Sequence, residues 1–308
     1  MKKRIHFLIV GFVFIIALIL GSFYDKEINA VIFDQKNLFG LIVSSFGMMP
    51  GYGFLAFAGG ITLFTGIQRK NWNIWGRIGL FVFTALGLGF SVYALGKDVF
   101  SINGFYNPKI YWLGFVIMGV LMIPVGVLGF FFAKKAKNPY LWLIAMILCA
   151  AIFVAIIPGV SLLKSIMHRP RYRFAVHDEY INFHHWWEPC KNYEYLIGDV
   201  TGLTKEEFKS FPSGHSGAAM ITVIFCTFLA CNDEKLKKFD VLFFYIGFTW
   251  CLVVMFARML VGAHYLSDTV IGASLTLVCF YIANEFIIRY FMPKEEQAET
   301  PQIEEKVE

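Results

Sequence analysis

Eight apolar runs, each close to the length that crosses a bilayer and almost free of charge, constrain this chain more than anything else in it. A bilayer core about 30 Å thick needs roughly 20 apolar residues in a helix, because there the backbone must satisfy its own hydrogen bonds. Read from charge to charge, the runs cover residues 5–23, 52–68, 78–96, 110–133, 140–163, 213–231, 241–262 and 268–288. The second starts upstream at Asn37 but is broken at Pro50-Gly51, so only its later part is expected to span. The expected fold class is all-α: a polytopic membrane helical bundle of about eight transmembrane helices.

Composition agrees. Apolar residues make up 57% of the chain and charged ones 16%, where an ordinary soluble domain carries about 25% charged residues. A soluble globule of this make-up would leave a large apolar surface in water. Net charge is +5, but Lys and Arg sit mostly between the apolar runs and form no nucleic-acid patch. No disulfide framework is expected: no CxxC pair occurs, five cysteines lie in or beside apolar runs, and Cys190 stands in a polar loop.

Charge also suggests sidedness. Arg69, Lys70 and Arg77, then Lys134, Lys135 and Lys137, then Lys235, Lys237 and Lys238 fall in alternate loops, which the positive-inside rule places in the cytoplasm. Both termini are then cytoplasmic, and residues 164–211 form an extracytoplasmic loop. The first run follows Lys2-Lys3-Arg4 but lacks an A-x-A-like site after it, so a retained helix is expected over a cleaved leader. We expect a single membrane domain over 1–293 and a Glu-rich, disordered cytoplasmic tail over 294–308.

Three polar clusters interrupt the apolar pattern. The first, at the end of the fifth run, holds Lys164, His168, Arg169, Arg171 and Arg173. Guanidinium groups bind phosphate oxygens bidentately, so it can act as an anion clamp. The second, Phe211-Pro212-Ser213-Gly214-His215-Ser216, opens the sixth run. A helix starting there offers free N–H groups and the positive end of its dipole to an anion, with His215 beside it. The third contains Arg258 inside an apolar run, then His264 and Asp268. An ionisable residue in a membrane span is costly enough to be a functional candidate. If the eighth helix begins by His264, a spacing of four puts it on one face with Asp268, and the carboxylate then fixes the tautomer.

Taken singly, each cluster has an ordinary explanation: snorkelling side chains, a capping histidine, a structural His–Asp pair. Together they do not. No span separates the first cluster from the second, and two separate the second from the third, so all three lie on one membrane face.

These clusters resemble the three-part signature of the type 2 phosphatidic acid phosphatase superfamily, K-x6-R-P, P-S-G-H and S-R-x5-H-x3-D. Here they read as Lys164 through Arg171, Pro212 to His215, and Arg258 through Asp268. Tyr172 stands in place of the motif's final Pro, and Ala257 in place of the Ser before Arg258. The match lies in residues 140–291; the first four runs carry none of it. The resemblance implies a six-helix core, and the loop charges place its active site on the extracytoplasmic face. It also implies a metal-independent lipid phosphatase, with His264 as nucleophile, Asp268 orienting it and His215 as acid and base. Lys164, Arg171, Ser213, Gly214 and Arg258 would bind phosphate.

No cofactor and no metal are expected. Two histidines and one carboxylate (His215, His264, Asp268) can hold a metal in principle, but Lys and Arg around them disfavour a cation. A separate metal site of His184, His185 and His177 is disfavoured because adjacent histidines do not easily point one way; His184, His185, Trp186 and Trp187 are read as interfacial packing or a wall for a lipid chain. The expected partners are a lipid phosphate and the bilayer, with no nucleic acid and no obligate protein partner. Polyprenyl diphosphate, phosphatidylglycerol phosphate, phosphatidate and a lipid A-type phosphate all fit. Two alternatives stay open: a phosphotransferase that discharges the same phosphohistidine to an alcohol, and a non-enzymatic anion-binding transporter. The latter would favour broken helices at the midplane and repeated halves, and neither is visible.

Overall fold

A computed structural model describes residues 4–99, 110–176, 181–191, 193–196 and 204–291. His177 and the 294–308 tail lie outside the described residues. All regular structure in them is helical, and eight helices are long and apolar enough to cross a membrane. In chain order they are α1 (Arg4–Ile32), α2 (Leu38–Phe46) running into α3 (Met49–Gln68), α4 (Ile74–Val99), α5 (Tyr111–Lys135), α6 (Leu141–Val154), α7 (Gly214–Asn232), α8 (Asp240–Leu260) and α9 (Leu266–Phe291).

The proline break falls where the sequence places it. Pro50 sits in the first turn of α3, where its missing N–H costs nothing and its fixed φ suits a helix start. Beyond Val154, α6 continues as a π-helical turn (Ala155–Ser161) around Pro158 and then a short helix (Leu162–Met167) that carries Lys164.

The two most buried spans, α3 and α7, form the middle of the bundle. α7 packs against α8, α9 and α3, while α1 lies against α9 and α8. α4 and α5 pack on α3 and on each other. Glycines allow the closest approaches, as in other membrane helix pairs. A Cβ on Gly60 would lie 1.8 Å from the Gly126 carbonyl oxygen, and one on Gly129 would lie 2.0 Å from that of Phe57. One apolar core runs through the bundle, with a small satellite of Ile181, Cys190 and Phe208. Cys190 is therefore not an exposed loop thiol. It is 1% exposed, and its N–H donates to the Met167 carbonyl at 2.9 Å.

α1 differs most from its expected extent. Rather than ending at the first charges after residue 23, it kinks at Tyr24 and runs on to Ile32, with Asp25 and Asn29 buried.

Candidate active site

The site forms where the start of α7, the start of α9, the end of α8 and the segment after α6 meet. Ser213 caps α7, its Oγ accepting from the Ser216 N–H at 3.3 Å, and its own N–H donates to the Asp268 carbonyl at 2.9 Å. α9 reaches this close only because residue 272 is glycine: a Cβ there would lie 2.1 Å from the Ser213 carbonyl oxygen. Between α8 and α9 the chain reverses at Gly262, whose φ of +62° falls in the left-handed region that glycine adopts without strain.

His264 precedes α9, which starts at Leu266, so the helical one-face pairing with Asp268 does not arise. Its Nδ1 is 2.7 Å from the Ser210 carbonyl oxygen and 3.9 Å from Asp268 Oδ2. A carbonyl can only accept, so Nδ1 carries the proton and Nε2 keeps its lone pair. The tautomer is thus fixed by a backbone oxygen. Asp268 acts on the neighbours: its Oδ2 takes the Ser210 hydroxyl and, at 2.9 Å, the Tyr265 N–H. The latter bond is the backward half of a capping box, satisfying a free donor at the start of α9. Arg169 Nη1 donates to Asp268 Oδ1 at 2.6 Å, with Arg169 wholly buried.

Burial pushes the His264 imidazole well below the ordinary histidine value; Asp268 opposes that push, and Arg258, Arg171 and Lys164 add to it. The same three cations bear on His215, which sets both imidazoles in one field of positive charge. Lys164 Nζ donates to the Lys209 carbonyl at 2.6 Å, and its side chain passes close to Gly214. Arg171 donates to the carbonyls of Ala263 (3.2 Å) and Glu206 (3.1 Å). Arg258 is 3% exposed, yet its Nε and Nη1 have no hydrogen-bond partner among the described residues, and neither does His215 Nε2. Buried donors are nearly always paired, so unpaired ones beside two imidazoles mark where an anion belongs.

All of the sequence-derived residues converge here, and the structure adds others. Asp98, at the end of α4, places Oδ2 3.9 Å from His215 Nε2. Arg169, Ser210, Asp25 and Asn29 hold the frame around His264 and Asp268. Ser22, Asp25 and Asn29 are spaced three and four apart, which is the one sequence signal that would have put them on a shared helix face. His184 and His185 take part in packing and backbone contacts: Arg169 Nε donates to the His184 carbonyl at 2.8 Å, and the His185 ring stacks on Trp187.

Residues 139–290 match the family model of the PAP2 superfamily. Over 89 residues the chain is 32% identical to a phosphatidylglycerophosphatase B of Bacillus subtilis (strain 168); the stretch is 29% of this chain and 44% of that protein. The chain thus spans under half the length of the curated relative it matches. No solved structure matches it. The matched segment contains Lys164, Arg171, His215, Arg258, His264 and Asp268, and over residues 139–290 the chain is similar to the PAP2 superfamily.

Proposed function

We propose that this protein is an integral membrane phosphatase that hydrolyses a phosphate ester or diphosphate on a lipid, through a phosphohistidine on His264. One observation carries the reading: the unpaired, buried donors of Arg258 lie in the same cationic field as an imidazole whose Nε2 lone pair is free. In the first step that lone pair forms a bond to phosphorus while the bond to the lipid oxygen breaks. The lipid oxygen takes a proton from protonated His215. In the second step neutral His215 takes a proton from water, whose oxygen attacks phosphorus as the N–P bond breaks. Inorganic phosphate leaves, and both histidines return to their starting forms. Lys164, Arg171, Arg258 and the start of α7 stabilise the charge on the non-bridging oxygens, which is where phosphoryl-transfer catalysis draws most of its strength.

The name of the Bacillus relative makes phosphatidylglycerol phosphate the first substrate to try. Sidedness follows from charge. Lys135, Lys137, Lys235 and Lys237 surround a cleft beside Tyr140 and Tyr290, at the end of the bundle opposite His264. The positive-inside rule then assigns the site to the extracytoplasmic face of the cell membrane, with both chain ends inside.

The test is phosphate release by the purified protein in EDTA from phosphatidylglycerol phosphate, phosphatidate and a polyprenyl diphosphate. Activity on at least one lipid, blocked by vanadate and cut about 1,000-fold or more in His264→Ala, is the expected result. A fully active His264→Ala would remove the assigned nucleophile.

A further inference from the structure

We propose that the outer end of α1, which lies outside the PAP2-matched segment, is part of the catalytic apparatus: Asp25 and Asn29 are positioning residues for Asp268 and for the His264 loop. The inference rests on the reading of His264 as nucleophile.

The contacts are specific and fully buried. Asp25 is 2% exposed and Asn29 is 0% exposed. Asp25 Oδ2 takes Arg169 Nη2 at 2.9 Å, while the other arm of the same guanidinium holds Asp268 at 2.6 Å. Asp25 therefore fixes the group that fixes Asp268. Its Oδ1 also accepts the Ser267 N–H at 3.0 Å, and Oδ2 accepts the Ser267 hydroxyl. Ser267 N–H is one of the donors that a helix leaves free in its first turn, so a carboxylate from α1 completes the cap of α9. One turn further along α1, Asn29 Nδ2 donates to the carbonyl of His264 itself at 3.1 Å. Close approach is built in as well. A Cβ on Gly21 would lie 2.9 Å from the Ser267 nitrogen, so a larger residue would push α1 away from α9.

A helix that only anchored a chain would turn apolar residues to its neighbours, and burying a carboxylate without purpose is costly. Here two carboxylates share one guanidinium directly behind the candidate nucleophile. An imidazole displaced by 1 Å loses about 100-fold in rate through misalignment alone.

The test is Asp25→Asn in the full-length protein, in detergent or liposomes, next to wild type and His264→Ala. Asn keeps the shape and can still accept from Ser267, but it releases Arg169. The expected result is a folded protein by thermal unfolding whose kcat is down about 10- to 100-fold and whose KM is within about two-fold of wild type, since Lys164, Arg171 and Arg258 are untouched. Equal kcat in the folded variant, or a fall in kcat matched by a rise in KM, would overturn the inference. If Asp25→Asn does not fold, Asn29→Ala decides: a roughly ten-fold fall in kcat at constant KM supports positioning by α1, and no change refutes it. An inert wild type or an active His264→Ala would instead strike the phosphohistidine reading, and this inference with it.

Discussion

The two ends of this bundle use the same charged residues in opposite ways. At the end that carries the site, Arg169 is 0% exposed and is shared by Asp25 and Asp268, themselves buried. At the other end, Lys137 and Glu234 meet at 2.9 Å while 81% and 77% exposed, and Arg4 pairs with Glu285 at 2.7 Å with its own side chain 55% exposed. Water solvates the second set whether or not the pairs form. The first set has no water to fall back on, so each member depends on the others. Charge at one end faces solvent; at the other it is built into a buried frame beside His264.

The strongest way to break that contrast is Arg169→Met, which leaves Asp25 and Asp268 buried without their cation. Removing one partner of a buried pair costs about 3–5 kcal/mol, so a large drop in the unfolding midpoint is expected. A midpoint near wild type would mean that the network does not support the fold.

Arg258 sharpens the contrast from the other side. It is buried with Nε and Nη1 unpaired among the described residues, so Arg258→Met should leave the fold as stable as wild type or raise its unfolding midpoint. Activity should fall about 100- to 1,000-fold, the scale of one lost donor at a developing charge. Reduced stability together with retained activity would reverse the roles assigned to Arg169 and Arg258.

The two ends were not equally legible in the sequence. Span number, the three clusters and their shared face could be read because apolar runs and motif spacing are sequence quantities. Burial is not. Asp25 closed the first apolar run as a loop charge would, although it lies on a helix that continues to Ile32. Arg169 looked like one cation among several, and nothing in the residue type says that it faces two buried carboxylates. The partner of His264 was unreadable for a simpler reason: it is the backbone carbonyl of Ser210, and every residue has one. Cys190 lies in a stretch that is polar in sequence, yet it packs with Ile181 and Phe208 in an apolar satellite that only the fold reveals.

A smaller effect concerns pH. Burial holds His264 below its ordinary value of 6.5, and the neutral ring is the competent nucleophile. The acid limb of kcat/KM should therefore lie below pH 6.5, with activity persisting as pH falls past that point. The same shift makes the folded chain bind fewer protons than the unfolded one. Its contribution to stability is present above pH 6.5 and is lost as pH falls toward the folded value. An acid limb at or above 6.5 would show that the site end is not the dry environment its burial implies.

The smallest expected effect tests the other end. Lys137→Ala removes an ion pair whose two side chains are mostly in water. Exposed pairs contribute about 0–1 kcal/mol, because the Coulomb gain is screened and holding two long side chains together costs entropy. The unfolding midpoint should move by no more than a degree or two at this size, and kcat should not change, since Lys137 lines the cleft far from His264. The informative readout is orientation. If the lysines of this end serve topology, single substitutions leave the chain correctly inserted, because Lys134 and Lys135 on α5 and Lys235, Lys237 and Lys238 remain. Converting Lys134, Lys135 and Lys137 together to Glu should then produce misoriented chains, seen as altered protease access to this loop in intact cells. A triple variant that inserts normally would mean that the apolar runs alone set direction, and the charge contrast between the two ends would belong to the active site only.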